Sequence, residues 1–261
     1  AELYRAVSHG EAIGLKADGL AVDWPAVMKR KTIVVNKLVR GVEGLLKANG
    51  VILHRGPGRL TASLAVAVGG GAPLEVAADH VILATGSEPV RLPIPGADLP
   101  GVLDSTAALA LPAIPASLLI IGGGVIGVEF AAMYRAFGAE VTVVEMLPQI
   151  LPPVDGEIAA LVRGELAKQG VRFLTGARVS EIKQTAAGLA ACVASGEKQE
   201  EIAAQYILVA VGRAPRTANL GLAEAGVATD RGRITVNADF LTTRPGVYAI
   251  GDCNGQTMLA H

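Results

Sequence analysis

The sequence predicts an α/β fold organised around a parallel sheet, and three observations carry that prediction. Short runs of branched aliphatic residues alternate with segments of helical periodicity from residue 116 to residue 175. Glycines stand at junctions where a strand must turn tightly into a helix. Hydrophobic residues make up 51% of the chain but aromatics only 3%, and small aliphatics of this kind let helices lie close on a sheet.

The first segment, residues 1–22, is mixed, with Gly10, Gly14 and Gly19 breaking any long pattern after a short helical start. Asp23-Trp24-Pro25 then reads as a helix start: the Asp side chain can cap free N–H groups, and Pro sits in the first turn, where its missing donor costs little. Apolar residues recur at helical spacing over residues 26–49 (Val27, Val34, Leu38, Val42, Leu45, Leu46), with Lys29, Arg30, Lys31, Lys37 and Arg40 as a solvated face. Asn49-Gly50 is the stop. Residues 51–54 are β-rich and read as a strand, followed by a turn at Arg55-Gly56-Pro57-Gly58. Residues 64–68 and 74–77 flank Gly69-Gly70-Gly71 as a hairpin, and residues 80–84 form a buried-strand pattern ending at Thr85-Gly86-Ser87-Glu88-Pro89. The proline-rich stretch 93–115 reads as a connection with one short helix near residues 105–111, and a domain boundary is expected there.

Beyond it, strands are expected at residues 118–121, 140–145 and 171–174, with helices at 127–137 and 155–169 between them. Strand–helix–strand alternation implies right-handed crossovers and parallel neighbours. Residues 180–193 and 203–211 read as later strands, the first pair antiparallel, and residues 247–250 return to strand.

One motif in this stretch carries chemistry. Gly122-Gly123-Gly124-Val125-Ile126-Gly127 satisfies G-x-G-x-x-G, with Gly122, Gly124 and Gly127 in the key places. A chain with 32 glycines can produce such a string by chance; its setting, between a predicted strand and a predicted helix, gives it weight. Gly122 permits the tight turn, Gly124 lets a pyrophosphate approach the backbone, and Gly127 lets the helix sit close to the strands. The free N–H groups at the helix start then face the phosphates, so contacts are expected from Gly122, Gly123, Gly124, Val125, Ile126, Gly127 and Val128. Glu145 closes the next strand, 23 residues after Gly122, where a carboxylate can accept from a ribose diol. A 2′-phosphate there would meet like charge, and Met146-Leu147 offers no arginine. NAD is therefore expected rather than NADP. Glu129 has two readings: a carboxylate complementing the helix N-terminus, or a contact to the nicotinamide end of the cofactor.

Other function classes are disfavoured. A net charge of −1 leaves no basic footprint for nucleic acid. No apolar run has the length of a membrane span and no leader pattern opens the chain, so a soluble, cytoplasmic protein is expected. Cys192 and Cys253 form no C-x-x-C or C-x-x-x-x-C pair, and His9, His54, His80 and His261 lie apart; no metal site is expected. Both cysteines read as small buried or half-buried residues.

Taken together, the motifs resemble the flavoprotein disulfide reductases, and within them the dihydrolipoamide dehydrogenase branch. Residues 84–89 look like the family's first crossover motif. Val211-Gly212-Arg213-Ala214-Pro215 looks like the one leaving the NAD domain, and residues 242–252 resemble the second FAD fingerprint. Gln256-Thr257-Met258-Leu259-Ala260-His261 matches the branch's Met-Leu-Ala-His segment beside the flavin. The resemblance implies two nested dinucleotide folds: a Rossmann-like NAD domain at residues 116–240 inserted into an incomplete FAD domain (residues 1–115, first βαβ missing, and 241–261). It assigns Gly58, Thr85, Gly86, Ser87, Asp252, Met258, Leu259, Ala260 and His261 to FAD, with Asp252 on the ribityl chain. Val179 and Gly212 join the NAD set, and Glu129 becomes a neighbour of nicotinamide.

The implied reaction is oxidation of dihydrolipoamide on lipoyl domains of a 2-oxoacid dehydrogenase or glycine cleavage complex, with hydride passing from flavin to NAD in a homodimer. The family's redox cysteine pair, its His–Glu pair, its first FAD motif and its dimerisation domain have no match in this sequence. No catalytic residue is therefore expected, and the chain reads as an internal fragment inactive alone. Two alternatives stand: a non-catalytic NAD-binding module, or part of another flavoprotein such as a mercuric reductase, NADH oxidase or transhydrogenase.

Overall fold

The computed structural model describes residues 2–8, 10–186 and 188–259. Two compact units are present, the first built from the chain up to Val35 and from Pro89–Gly212, the second from Asn36–Glu88 and from Arg213 onward. The division at Val35 falls inside the helix Trp24–Ala48.

The first unit holds a five-stranded parallel sheet in the order Val102–Leu103, Tyr206–Val209, Ser117–Ile121, Glu140–Glu145, Val171–Thr175. Helices Val125–Ala136 and Gly156–Lys168 make the two crossovers on one side of Ser117–Ile121. The chain then returns to the strand's other flank, so the strand order reverses between Ser117–Ile121 and Tyr206–Val209. Alternation along the central strand separates two cores. Leu118 and Ile120 pack with Val128, Ala131 and Tyr134 of the first helix, whereas Leu119 and Ile121 pack with Val179, Leu189, Ala191 and Val193. Each Leu, Ile or Val among them contributes about 1.5–3 kcal/mol by leaving water.

The second cluster is roofed by an antiparallel ladder of Arg178–Thr185, Gly188–Ser195 and Lys198–Ala204. The segment read as one strand over residues 203–211 is thus divided: Ala203 and Ala204 end this ladder, and Tyr206–Val209 enters the parallel sheet. The start of the long helix is anchored as the Asp-Trp-Pro pattern predicts. Asp23 Oδ1 accepts from Ala26 N at 3.0 Å, and the buried Trp24 donates from Nε1 to Leu111 O at 2.9 Å while meeting Phe137 edge-on.

In the second unit, Gly58–Leu60, Ala65–Val68 and Leu74–Ala77 form an antiparallel sheet that includes the expected hairpin, and Val81–Leu83 pairs in parallel with Val247–Ala249. Their core contains Leu60, Val81, Leu83, Leu222, Val227, Ile234, Val247 and Cys253. Residues 51–54 are not a strand: they have no ladder partner among the described residues, and Val51, Ile52 and Leu53 are exposed. Their β-rich composition has no sheet edge to act on. The apolar stripe of the long helix keeps its helical spacing, yet Val34, Leu38, Val42 and Leu45 are exposed.

Candidate functional site

In the first unit, Ile121 ends the central strand and Gly122 turns the chain at the point where the strand order reverses, where nucleotides bind in open α/β sheets. Gly122 has φ +110°, and a Cβ there would lie 2.4 Å from Ala210 O. A Cβ on Gly127 would lie 2.0 Å from Gly122 O, so helix and turn are in backbone contact. At Gly124 the opposite holds: a Cβ would meet nothing within 4 Å. The two outer glycines are demanded by the fold, and the middle one leaves open space where a phosphate can approach the backbone.

The helix begins at Val125, two residues earlier than periodicity indicates, with Gly124 as N-cap and no side-chain cap. Its neighbour in the same unit is capped: Asp155 accepts from Glu157 N at 2.9 Å and Ile158 N at 3.4 Å. The first-turn amides of Val125–Ala136 are therefore left for an anion, and the helix dipole favours one.

Glu145 ends the adjacent strand and is 8% exposed. Its Oε2 accepts from Gly123 N at 2.6 Å and its Oε1 from Leu147 N at 2.7 Å. The carboxylate thus ties the glycine turn to the second strand and keeps acceptor capacity on both oxygens. Ile150 packs beneath Gly123, and Leu151 N donates to Gly123 O at 2.8 Å, a support the motif alone did not indicate. Glu129 is exposed on the helix and has no hydrogen bond or ion pair among the described residues. Val179 is buried with Leu119, Ile121 and Val144, and Gly212 is exposed, its carbonyl accepting from Val90 N at 3.1 Å. Tyr134, on the buried face of the same helix, donates to Ala108 O at 2.6 Å, and burial pushes its hydroxyl up to about 12.

The residues assigned to flavin by resemblance lie in the second unit. Gly58 is exposed at the start of the strand Gly58–Leu60. Thr85 Oγ1 donates to Arg216 O at 2.7 Å, and Gly86 O accepts from Arg216 N at 2.9 Å. Ser87 Oγ donates to Asp252 Oδ2 at 2.5 Å and accepts from Arg213 Nε at 2.7 Å. Arg213, quoted in the crossover motif but given no role there, is a member of this site that sequence reasoning missed. Asp252 Oδ1 has no hydrogen-bond partner among the described residues and can accept from a ligand hydroxyl. Cys253 is buried, its thiol directed at Leu83 O and Ile250 O, as expected of a structural cysteine. Cys192 is half-buried. Met258 is half-buried and Leu259 exposed, while Ala260 and His261 lie outside the described residues. Among the described residues no group of His, Cys, Asp and Glu could hold a metal ion, and no helix is long and apolar enough to cross a membrane.

Comparison with known proteins agrees with this geometry. Residues 4–261 match the family model described as pyridine nucleotide-disulphide oxidoreductase. The chain is 42% identical over 257 residues to the dihydrolipoyl dehydrogenase of Chlamydia pneumoniae, covering 98% of this chain and 54% of that protein. It is 44% identical over 266 residues to that of Thermus scotoductus, covering 100% and 56%. Among solved structures, the HOCl-induced flavoprotein disulfide reductase RclA from Escherichia coli superposes with a TM-score of 0.82 at 33% identity, over 91% of this chain and 54% of that one. The chain spans about half the length of the curated relatives it matches. With the parallel sheet, the glycine turn and the residues 4–261 all in agreement, the chain belongs to the pyridine nucleotide-disulphide oxidoreductase family.

Proposed function

We propose that this chain supplies the NAD site, and part of the FAD site, of an oxidoreductase that oxidises dihydrolipoamide on lipoyl domains of a 2-oxoacid dehydrogenase or glycine cleavage complex. The observation that carries the reading is the glycine turn at an uncapped helix start, closed by the buried Glu145. Similarity to the dihydrolipoyl dehydrogenases narrows the substrate. The first unit holds residues 116–212 of the nucleotide-binding domain expected at 116–240, and the second holds residues 36–88 and 241–261 of the expected flavin domain. Residues 213–240 fall in the second unit, and residues 1–35 and 89–115 in the first.

FAD and NAD, when bound, supply the electron and hydride carriers. The protein residues bind and orient. Gly122, Gly123, Gly124, Val125, Ile126, Gly127 and Val128 present backbone to the pyrophosphate, Glu145 accepts from the adenosine ribose, and Val179 and Gly212 border the nucleotide. A carboxylate at Glu145 followed by Met146 and Leu147 favours NAD over NADP. Glu129, exposed and without a protein partner, serves the nicotinamide end. Gly58, Thr85, Gly86, Ser87, Asp252, Met258, Leu259, Ala260 and His261 serve the flavin. A homodimer in the cytoplasm belongs to the same proposal.

Two free cysteines in separate environments give this chain no dithiol of its own, which favours a second reading, an NAD-binding module that does not turn over by itself. Reduction of NAD by dihydrolipoamide and flavin absorbance in the purified protein test both. A yellow protein that binds NADH in preference to NADPH but shows no dihydrolipoamide-dependent NADH formation is expected. A colourless protein with NADH affinity supports the module reading. Equal affinity for NADPH removes the role given to Glu145.

A further inference from the structure

We infer that Arg213 and Ser87 are positioning residues that hold Asp252 as a one-sided hydrogen-bond acceptor for a polyol hydroxyl. The inference rests on the flavin reading above, under which the hydroxyl belongs to the ribityl chain of FAD. Three segments distant in sequence converge in the second unit: Ser87 after the Val81–Leu83 strand, Arg213 in the crossover segment, and Asp252 in the 3-10 turn Gly251–Asn254.

The direction of every proton follows from donor chemistry. A guanidinium has no acceptor, so Arg213 Nε donates to Ser87 Oγ at 2.7 Å, while Nη2 donates to Ser87 O at 2.7 Å. The fork grips both side chain and backbone of one residue. With its oxygen occupied by an N–H donor, the Ser87 hydroxyl directs its single proton to Asp252 Oδ2 at 2.5 Å. Oδ2 is thereby engaged inside the protein, and Oδ1 is the oxygen left without a partner among the described residues.

The turn that carries Asp252 is itself fixed. Cys253 is fully buried against Leu83 and Ile250, Ile250 N donates to Leu83 O at 3.0 Å, and Gly255 closes the turn in the left-handed region with its N–H on Asp252 O at 3.1 Å. Ser87, Arg213 and Asp252 are all half-buried, where a chain of hydrogen bonds is stronger than in water. Arg213 lies one hydroxyl away from the carboxylate, so the site offers an acceptor without a net negative charge. That chemistry recognises a neutral O–H donor and disfavours an ammonium.

The test is a mutant cycle read by FAD dissociation constants from flavin-fluorescence quenching, with urea midpoints and the exchange rate of the Arg213 Nε–H by NMR as companions. Ser87→Ala is expected to weaken FAD about tenfold and to free the Arg213 Nε–H for exchange. Ser87→Thr, which keeps the hydroxyl, restores both. In an Asp252→Asn background, Ser87→Ala produces no further loss of affinity, because the acceptor it positioned is gone. Equal losses in both backgrounds, or an unchanged FAD constant in Ser87→Ala, overturn the positioning role while leaving the flavin reading intact. Absence of FAD binding by the unsubstituted protein overturns the flavin reading and this inference with it.

Discussion

Under the proposed function, the glycine turn of the first unit and the Arg213–Ser87–Asp252 relay of the second would handle a ligand by opposite means. The turn is contiguous: residues 122–127 run from the turn into the first turn of the helix, and the carboxylate that ties it down, Glu145, lies at the end of the next strand. It acts by backbone, through amides and the absence of side chains. The relay is dispersed, with Ser87 126 residues from Arg213 and 165 from Asp252, and it acts by side chains whose proton directions are set by one another. A contiguous backbone site is unforgiving of added atoms and indifferent to side-chain chemistry. A dispersed side-chain site reverses those sensitivities.

Five outcomes would break or sharpen that contrast. The largest effect is expected from Gly127→Val. Its Cβ would overlap Gly122 O, and urea unfolding should report a loss upward of about 3 kcal/mol; a stable variant would mean the helix and turn can separate. Next is Glu145→Ala, which leaves the amides of Gly123 and Leu147 without acceptors. It should cost about 2–3 kcal/mol and narrow the NADH-over-NADPH preference in a binding titration.

Third, Tyr134 ties the glycine helix to Ala108 O, and its hydroxyl is raised from 10.0 to about 12 by burial. The folded state therefore keeps a proton that the unfolded chain gives up, so this contribution is fully present below pH 10 and is lost as pH rises through about 12. Unfolding free energy should fall by about 3 kcal/mol at most across that window, and Tyr134→Phe should flatten the slope.

Fourth, Arg213→Met removes the fork and leaves Ser87 O and Oγ short of donors. A loss of about 1–2 kcal/mol is expected, with FAD affinity reduced and NADH affinity retained; an equal fall in NADH affinity would argue against separate roles. The smallest structural effect belongs to Gly124→Ala, since its Cβ meets open space. Stability should change by less than about 1 kcal/mol, yet NADH binding should weaken, and unchanged binding would deny that the phosphate approaches there.

Legibility followed the same divide. Glu140–Glu145 was readable to the residue, and the capped helix at Gly156–Lys168 to within one, because their apolar periods and the Asp155 cap are local signals. The steric roles of Gly122 and Gly127 were readable because a tight turn into a helix is a local steric problem. Residues 51–54 misled for the complementary reason: β-rich composition makes a strand only where a sheet edge is available, and none pairs there among the described residues. Arg213 stood in a quoted motif, but nothing in its neighbourhood pointed to Ser87.

The sequence by itself determined the parallel strand–helix alternation, the glycine turn and the acid that closes it, since each depends on spacing within about one βαβ unit. Tertiary structure decided that Gly127 abuts Gly122 O, that Tyr206–Val209 takes the flank opposite Glu140–Glu145, and that Ser87, Arg213 and Asp252 share one hydrogen-bond chain. These are contacts between positions whose separation along the chain carries no periodic signal, and only the closing of the cores brings them within hydrogen-bonding distance.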